Sequence, residues 1–345
     1  MTFSNRLIQW YLENKRDLPW RNTTNPYKIW LSEIILQQTR VAQGLPYYER
    51  FIETFPTVFD LANASEEQVL KLWQGLGYYS RGRNLHKTAQ IIVFERNGTF
   101  PKTYLELLTL KGIGTYTAAA IASFSQKEVV PVVDGNVFRV LARYFDVETD
   151  ISSATAKKEF TALANELIDN KQPDLFNQAL MEFGALQCVP KSPNCSMCVF
   201  NDSCAALQKN KVAMLPVKLK KTKVTERFFN YLVFEDDKSH SLIQQRTAKG
   251  IWHNLYEFPL IESEHELNEK ELTRQVSIAS FLTNKLISIK AYDEKSVVHI
   301  LSHQRLKIRF WELKVEGKIE KGISKDALRA LPFPIVIFNF IEKNF

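Results

Sequence analysis

Residues 188–204 read CVPKSPNCSMCVFNDSC, and this window holds every cysteine of the chain. Cys188, Cys195, Cys198 and Cys204 stand as C-x6-C-x2-C-x5-C, with Pro190 and Pro193 stiffening the longest gap. Four soft ligands gathered in one loop point to a metal centre, which they bind as thiolates. Two disulfides are the alternative in an oxidising compartment. The first twenty residues, MTFSNRLIQWYLENKRDLPW, mix charges with apolar residues and lack the apolar stretch of a secretion signal. Zinc is the closer competitor, but zinc sites usually pair two C-x2-C or C-x2-H arms and only one such arm exists here, so the spacing favours iron–sulfur. Unpaired thiols place the expected compartment in a reducing cytoplasm.

Upstream of the cysteines, residues 104–124 read YLELLTLKGIGTYTAAAIASF: a helix, a tight GIG turn and a second helix. Gly112 and Gly114 can bring the backbone close to a ligand. The second helix then points its N-terminal N–H groups at whatever binds beside Lys111, and a DNA phosphate suits such an anion site. An ordinary helix–turn–helix corner reads much the same.

The 345 residues are 45% hydrophobic, enough for a core and long enough to favour two domains. The formal charge of +7 suggests a polyanionic partner without demanding one. No run approaches the ~20 apolar residues of a membrane span. Residues 1–208 read as successive helices punctuated by Gly and Pro. Residues 209–225 form a basic linker, in which KNKVAMLPVKLKKTK (209–223) carries six lysines and no acid. These lysines are either simply solvated or aligned with DNA phosphates. Residues 226–345 turn to short β-branched and aromatic runs such as RFFNYLVFED, SVVHIL and LKIRFWELKV, with one or two helices, and read as an α+β domain. The final PFPIVIFNFI is read as buried strand or helix.

The cysteine spacing directly after a helix resembles the [4Fe–4S] loop of the endonuclease III superfamily of DNA glycosylases. L-K-G-I-G-x-x-T resembles the helix–hairpin–helix of that superfamily, which holds DNA backbone without reading sequence. S-E-x-x-L-Q-Q-T at 32–39, RDLPWR at 16–21 and GLGYYSRGRNL at 75–85 resemble one branch specifically, the MutY-type adenine DNA glycosylases. The resemblance is close over residues 1–205 and patchier beyond.

This resemblance implies a multidomain protein: an all-α helix–hairpin–helix glycosylase domain with an iron–sulfur loop, plus a Nudix-like α+β domain. It implies an enzyme of base excision repair whose partner is double-stranded DNA bearing adenine opposite 8-oxoguanine, acting as a monomer in the nucleoid. Glu33 is the implied general acid. The helical phase is expected to set Ile29, Trp30 and Glu33 on one side, with Trp30 and Leu36 forming an apolar wall that raises its pKa. Lyase members carry a lysine nucleophile after the hairpin. Here Tyr116 stands in its place, and a phenol cannot form an imine, so the chain resembles a hydrolytic glycosylase. Asp134, in PVVDGNVFRV, precedes a helix and reads equally as an N-cap or as the acid that faces the sugar. Asn136 is the candidate to orient it. By the same resemblance Arg16, Trp20 and Arg21 line the base pocket, and Gln38 and Thr39 fill the space beside the orphan base. Tyr78, in the turn carrying Gly77 and Arg81, wedges into the stack unless it is a core tyrosine.

RTAKGIWHNLYEFPL at 246–260 resembles the Nudix-like domain of the same enzymes. No R-E-x-x-E-E helix follows it, so a binding rather than a hydrolytic domain is expected. The family's Phe-Ser-His lesion loop corresponds to Leu301, Ser302 and His303, with leucine departing from the aromatic. A strand-end surface histidine is the plainer account of His303. An endonuclease III-like pyrimidine-lesion lyase and a non-catalytic iron–sulfur DNA-binding protein are the two competing functions.

Overall fold

The computed structural model describes residues 2–219, 224–278 and 285–345. The chain forms two compact units: Met1–Asn63 with Asn84–Lys220, and Ala64–Arg83 with Lys221–Phe345.

The described part of the first unit is helical. In chain order it holds α1 (Phe3–Asn14), α2 (Pro26–Ile35), α3 (Val41–Thr54) and α4 (Val58–Asn63). After α5 (Glu66–Trp73), a helix of the second unit, and α6 (Ser80–Gln90) come α7 (Tyr104–Leu107), α8 (Thr115–Gln126), α9 (Gly135–Phe145), α10 (Ala154–Leu167), α11 (Pro173–Leu186) and α12 (Ala205–Gln208). Side-chain caps begin several of them. Asn25 accepts from the N–H groups of Tyr27 and Lys28 ahead of Pro26, and Thr103 with Glu106 closes a capping box on α7. α11 buries Phe176, Leu180 and Phe183 in a core shared with Leu7 and Tyr11 of α1 and Leu141 of α9. This packing brings α2, α8 and α9 to one face, where the site lies.

The lysine-rich stretch is not a free linker over its described length. Leu215 is buried in the same core, and the Ile151 N–H donates to the Val217 carbonyl at 2.9 Å. Lys209 and Lys211 both reach Asp146, at 2.7 and 3.1 Å, and Lys211 also pairs with Glu148. Acids supplied some sixty residues upstream pair with two lysines that the sequence left either solvated or aligned with DNA phosphates.

The second unit is built on a five-stranded sheet. Its strands and helices are β1 (Thr225–Glu235), β2 (His240–Ser241), β3 (Gln244–Gln245), β4 (Tyr256–Glu257), β5 (Leu260–Ser263), α13 (Glu269–Ile278), β6 (Leu286–Ala291), β7 (Val297–Ile300), β8 (Gln304–Val315), β9 (Ile323–Ser324), α14 (Lys325–Leu328) and α15 (Ile335–Asn344). The sheet order is β5-β1-β8-β6, with β7 also on β8. β1 and β8 run parallel, Phe229 beside Ile308, and the other pairings are antiparallel. The apolar C-terminus is a helix. Pro334 opens α15, and Phe340 stacks on Phe310 of β8 with ring centroids 3.9 Å apart.

Candidate active site and cysteine pocket

A cleft of about 620 Å³ opens in the first unit. Ile29, Ser32 and Glu33 of α2 and the following Leu36 line one side, Tyr116 of α8 another, and Asp134 and Asn136 at the start of α9 a third. Arg16, Trp20 and Arg21 line it from the segment after α1. Three segments far apart in sequence thus deliver Glu33, Tyr116 and Asp134 to one space. Trp30 does not line it. Around the helix residue 30 lies about 100° from residue 29 and about 60° from residue 33, and Trp30 is fully buried against Tyr27 and Phe100. The apolar wall beside Glu33 is therefore Ile29 and Leu36.

Glu33 is 6% exposed. Burial pushes its carboxyl up to about 7, the Tyr116 hydroxyl hydrogen-bonded to it pulls the other way, and the nearby Asp134 charge adds to the rise. Burial also drives the Tyr116 phenol well above its ordinary value. Asp134 caps α9: Oδ1 accepts from the N–H groups of Asn136 and Val137, both at 2.8 Å, and Oδ2 accepts from Asn136 Nδ2 at 2.9 Å. Burial raises its pKa, opposed by these three bonds that favour the charged form. Arg139 Nη2 in turn donates to Asn136 Oδ1 at 2.8 Å, fixing the amide's orientation. Cap and site residue are one and the same aspartate.

Sequence reasoning missed Glu182. Its side chain is fully buried on α11 and receives both arginines: Arg16 Nη2 at 2.5 Å and Arg21 Nη2 at 2.6 Å, each with a second bond to Oε1 at 2.8 Å. Burial works to raise its pKa, and the hydrogen bonds from Arg16 and Arg21 overcome this and bring it to about 2. The two arginines thus line the cleft as members of an ion triad, not as free cations. A lone acid inside the apolar run LMEFGAL was the available signal.

Cys188, Cys195, Cys198 and Cys204 are half-buried, unpaired, and line a single pocket with Val140, Phe183, Phe200 and Leu207. Among the described residues no carboxylate or imidazole lines it. The Phe200 N–H donates to Cys198 Sγ and Arg143 Nη1 to Cys188 Sγ, both at 3.4 Å. Burial pushes the free Cys198 thiol up to about 11, so anionic sulfur here needs a bound cation. Among the described residues, no group of three or more His, Cys, Asp or Glu is placed to hold a single metal ion. An all-sulfur, apolar-walled pocket with N–H donors aimed at sulfur fits an iron–sulfur centre.

At the hairpin, Gly112 takes φ +76°, and a Cβ there would come within 2.7 Å of Asn84 Cβ, so glycine is required. Gly114 caps α8 with no side-chain bond, and Gly112, Gly114 and Lys111 are exposed. Gln38 is exposed at φ 56°, an uncommon conformation for a residue with a side chain, and Thr39 lines the active cleft.

A cleft of about 580 Å³ lies wholly within the second unit. It is lined by Gly77, Tyr78, Trp252, His299, Leu301 and Ser302 among others. Tyr78 is 50% exposed at φ 49°, not a core tyrosine. Arg81 folds over Trp73 and Tyr78, with ring centroids at 5.2 and 5.5 Å, and burial lowers its pKa to about 10. His303 is exposed and does not line this cleft, and its carbonyl accepts from the Thr225 N–H at 3.0 Å. Trp252 and His299, rings 5.8 Å apart, were not anticipated from the sequence.

Residues 31–166 match the family described as HhH-GPD superfamily base excision DNA repair protein, and residues 230–343 match the NUDIX domain. The chain is similar over part of its length to solved structures of a thermostable thymine-DNA glycosylase and of a trapped endonuclease III–DNA covalent intermediate. The first is 27% identical, with TM-score 0.55, and covers 60% of this chain and 95% of its own. The second is 21% identical, with TM-score 0.53 and shares of 60% and 94%, and supports the fold alone. Fold and cleft therefore define a helix–hairpin–helix DNA N-glycosylase with a Nudix-type C-terminal domain. Adenine DNA glycosylase of Buchnera aphidicola (subspecies Baizongia pistaciae) is 34% identical over 89% of this chain and 85% of its own length. The mouse enzyme of that name is 34% identical over 91% and 71%, and the human one 44% over 60% and 40%. The chain belongs to the adenine DNA glycosylase family, and DNA is its partner. Among the described residues no helix is long and apolar enough to cross a membrane.

Proposed function

We propose that this protein removes adenine mispaired with 8-oxoguanine or guanine in duplex DNA, acting as a monofunctional, monomeric glycosylase. The carrying observation is the pair of carboxyls in one cleft: Glu33 raised to about 7 by burial, and Asp134, whose pKa burial also raises, accepting three hydrogen bonds that favour its charged form. The stack blocks access to the glycosidic bond, so the adenine first leaves the duplex. Protonated Glu33 gives its proton to adenine N7, and the base departs neutral. Charged Asp134 then stabilises the sugar cation, or adds to it briefly, before water attacks. Asn136 holds the Asp134 oxygens, and Tyr116 holds the Glu33 carboxyl. Arg16 and Arg21, locked on Glu182, wall the base pocket with Trp20.

Cys188, Cys195, Cys198 and Cys204 hold a [4Fe–4S] centre, whose contribution is to cross-link the loop rather than to react. Lys111 and the N–H groups after Gly112 and Gly114 grip backbone phosphate. Gln38 and Thr39 fill the space beside the orphan base, Tyr78 wedges the stack, and Arg81 supports Tyr78's turn. Ser302 and His303 read the damaged guanine. The test is direct: purified protein incubated with duplexes carrying adenine opposite 8-oxoguanine, guanine or thymine should release free adenine from the first two. Release of a damaged pyrimidine with strand breakage, and none of adenine, would replace this reading by the lyase one.

A further inference from the structure

We infer that Lys157 of α10 is a further DNA-backbone residue, its ammonium and the Thr115 hydroxyl completing the phosphate seat at the start of α8. The inference deepens the hairpin reading and rests on it. Lys157 is exposed and donates to Thr115 Oγ1, across forty-two residues of sequence, at the first residue of α8. Among the described residues no carboxylate pairs with it, whereas Lys209 and Lys211 are held by Asp146. Its partner is a neutral hydroxyl, so its charge is left uncompensated at the end of α8 where unpaired N–H groups point outward.

The space in front is open: Gly114 makes no side-chain cap, and a Cβ built on it meets nothing within 4 Å. A threonine oxygen that accepts from Lys157 keeps its own hydrogen free to donate. An ammonium, a hydroxyl donor and a fan of N–H groups recognise a phosphodiester oxygen and carry no base information. Nothing in the hairpin motif itself encodes this lysine, which arrives from a helix two elements downstream.

The experiment is the salt dependence of binding to an undamaged duplex, between 50 and 200 mM salt, for the parent, Lys157→Gln and Lys157→Arg. Glutamine keeps a donor for Thr115 without charge, and arginine keeps the charge. Each neutralised phosphate contributes ~0.9 to the slope of log affinity against log salt. Lys157→Gln should therefore bind more weakly with a slope shallower by about 0.9, so that the parent's advantage shrinks about 3.5-fold over this range. Lys157→Arg should restore the parent slope. A glutamine variant whose slope parallels the parent's, or an arginine variant that does not recover it, overturns the proposal and leaves Lys157 a brace for Thr115. Thermal unfolding of the variants verifies that they are folded. No excision is involved, so a protein that ignores adenine but shows this slope change would sink the substrate reading alone.

Discussion

Replacing Glu33 by glutamine should make the protein both inactive and, in alkali, more stable. The carboxyl titrates near 4.5 when exposed and near 7 in the cleft, because burial disfavours its charge. Its folded pKa is raised. The stability linked to its neutral form is thus complete below about pH 4.5 and lost as pH rises through about 7. That gap corresponds to about 3 kcal/mol by pH 9, at 1.36 kcal/mol per pH unit. Glutamine cannot ionise and escapes this cost. Glu33→Gln should gain little at pH 5 and up to about 3 kcal/mol at pH 9, a rise of roughly 6–12 °C in the melting of a 150–250-residue unit. Over the same range the parent's single-turnover adenine release should decline above about pH 7, as the proton donor is lost. The variant should be slower by ~10²–10⁴-fold throughout. Melting curves at pH 5, 7 and 9 beside single-turnover assays decide it. A stability difference independent of pH, or near-normal turnover, would refute the reasoning and move the acid elsewhere.

Tyr116 in place of an amine predicts an intact abasic strand that breaks only with added alkali or heat. Efficient borohydride trapping of protein on DNA would contradict it. The cysteine pocket should carry about four irons per chain in anaerobically purified protein, and stoichiometric zinc would show the assignment wrong. Glu182→Gln leaves two guanidinium groups around one neutral amide and should destabilise by about 3 kcal/mol at pH 7, the low end for a broken buried pair because Arg16 is partly exposed. Since Glu182 is held near 2, its contribution is present above about 4.5 and fades in stronger acid, so urea curves of parent and variant should converge as pH falls towards 2. Alanine at both Ser302 and His303 should erode the preference for adenine opposite 8-oxoguanine over guanine, at ~1–3 kcal/mol per lost contact. Unchanged discrimination would leave the reading to residues such as Trp252 and His299, which line the Tyr78 cleft.

The hairpin, the cysteine loop and the α2 glutamate were legible because each is a local pattern: glycines at a turn, sulfurs at fixed spacing, an acid in an apolar helix. Asp134 was legible as a cap from its position before a helix, and the structure also sets it in the cleft lining. What escaped the sequence depends on contacts between distant segments. Glu182 meets Arg16 and Arg21 across more than 160 residues. Trp30 was placed on the wrong side because its neighbours Ile29 and Glu33 fix the helix phase and leave it facing Tyr27 and Phe100. The lysine-rich segment read as solvated or as lying along DNA phosphates because Asp146 and Glu148, which hold Lys209 and Lys211, lie elsewhere in the chain. Trp252 and His299 carry no pattern at all and become visible only where a turn and β7 set them in the cleft with Tyr78.

Arg143 has a bearing on the order in which the chain assembles. It is 2% exposed on α9, and its guanidinium donates to the carbonyls of Val189, Pro190 and Leu215 at 2.8–3.0 Å as well as to Cys188 Sγ. Two of these carbonyls lie in the loop directly after Cys188, and the third lies eleven residues beyond Cys204. α9 is a short-range element that closes quickly, whereas the loop must surrender its freedom over many residues before any sulfur meets its neighbour. A preformed helix presenting this fork of donors acts as a template on which the loop is laid out. The expected order of folding is therefore α9 first and the cysteine loop second, on a scaffold that Arg143 supplies.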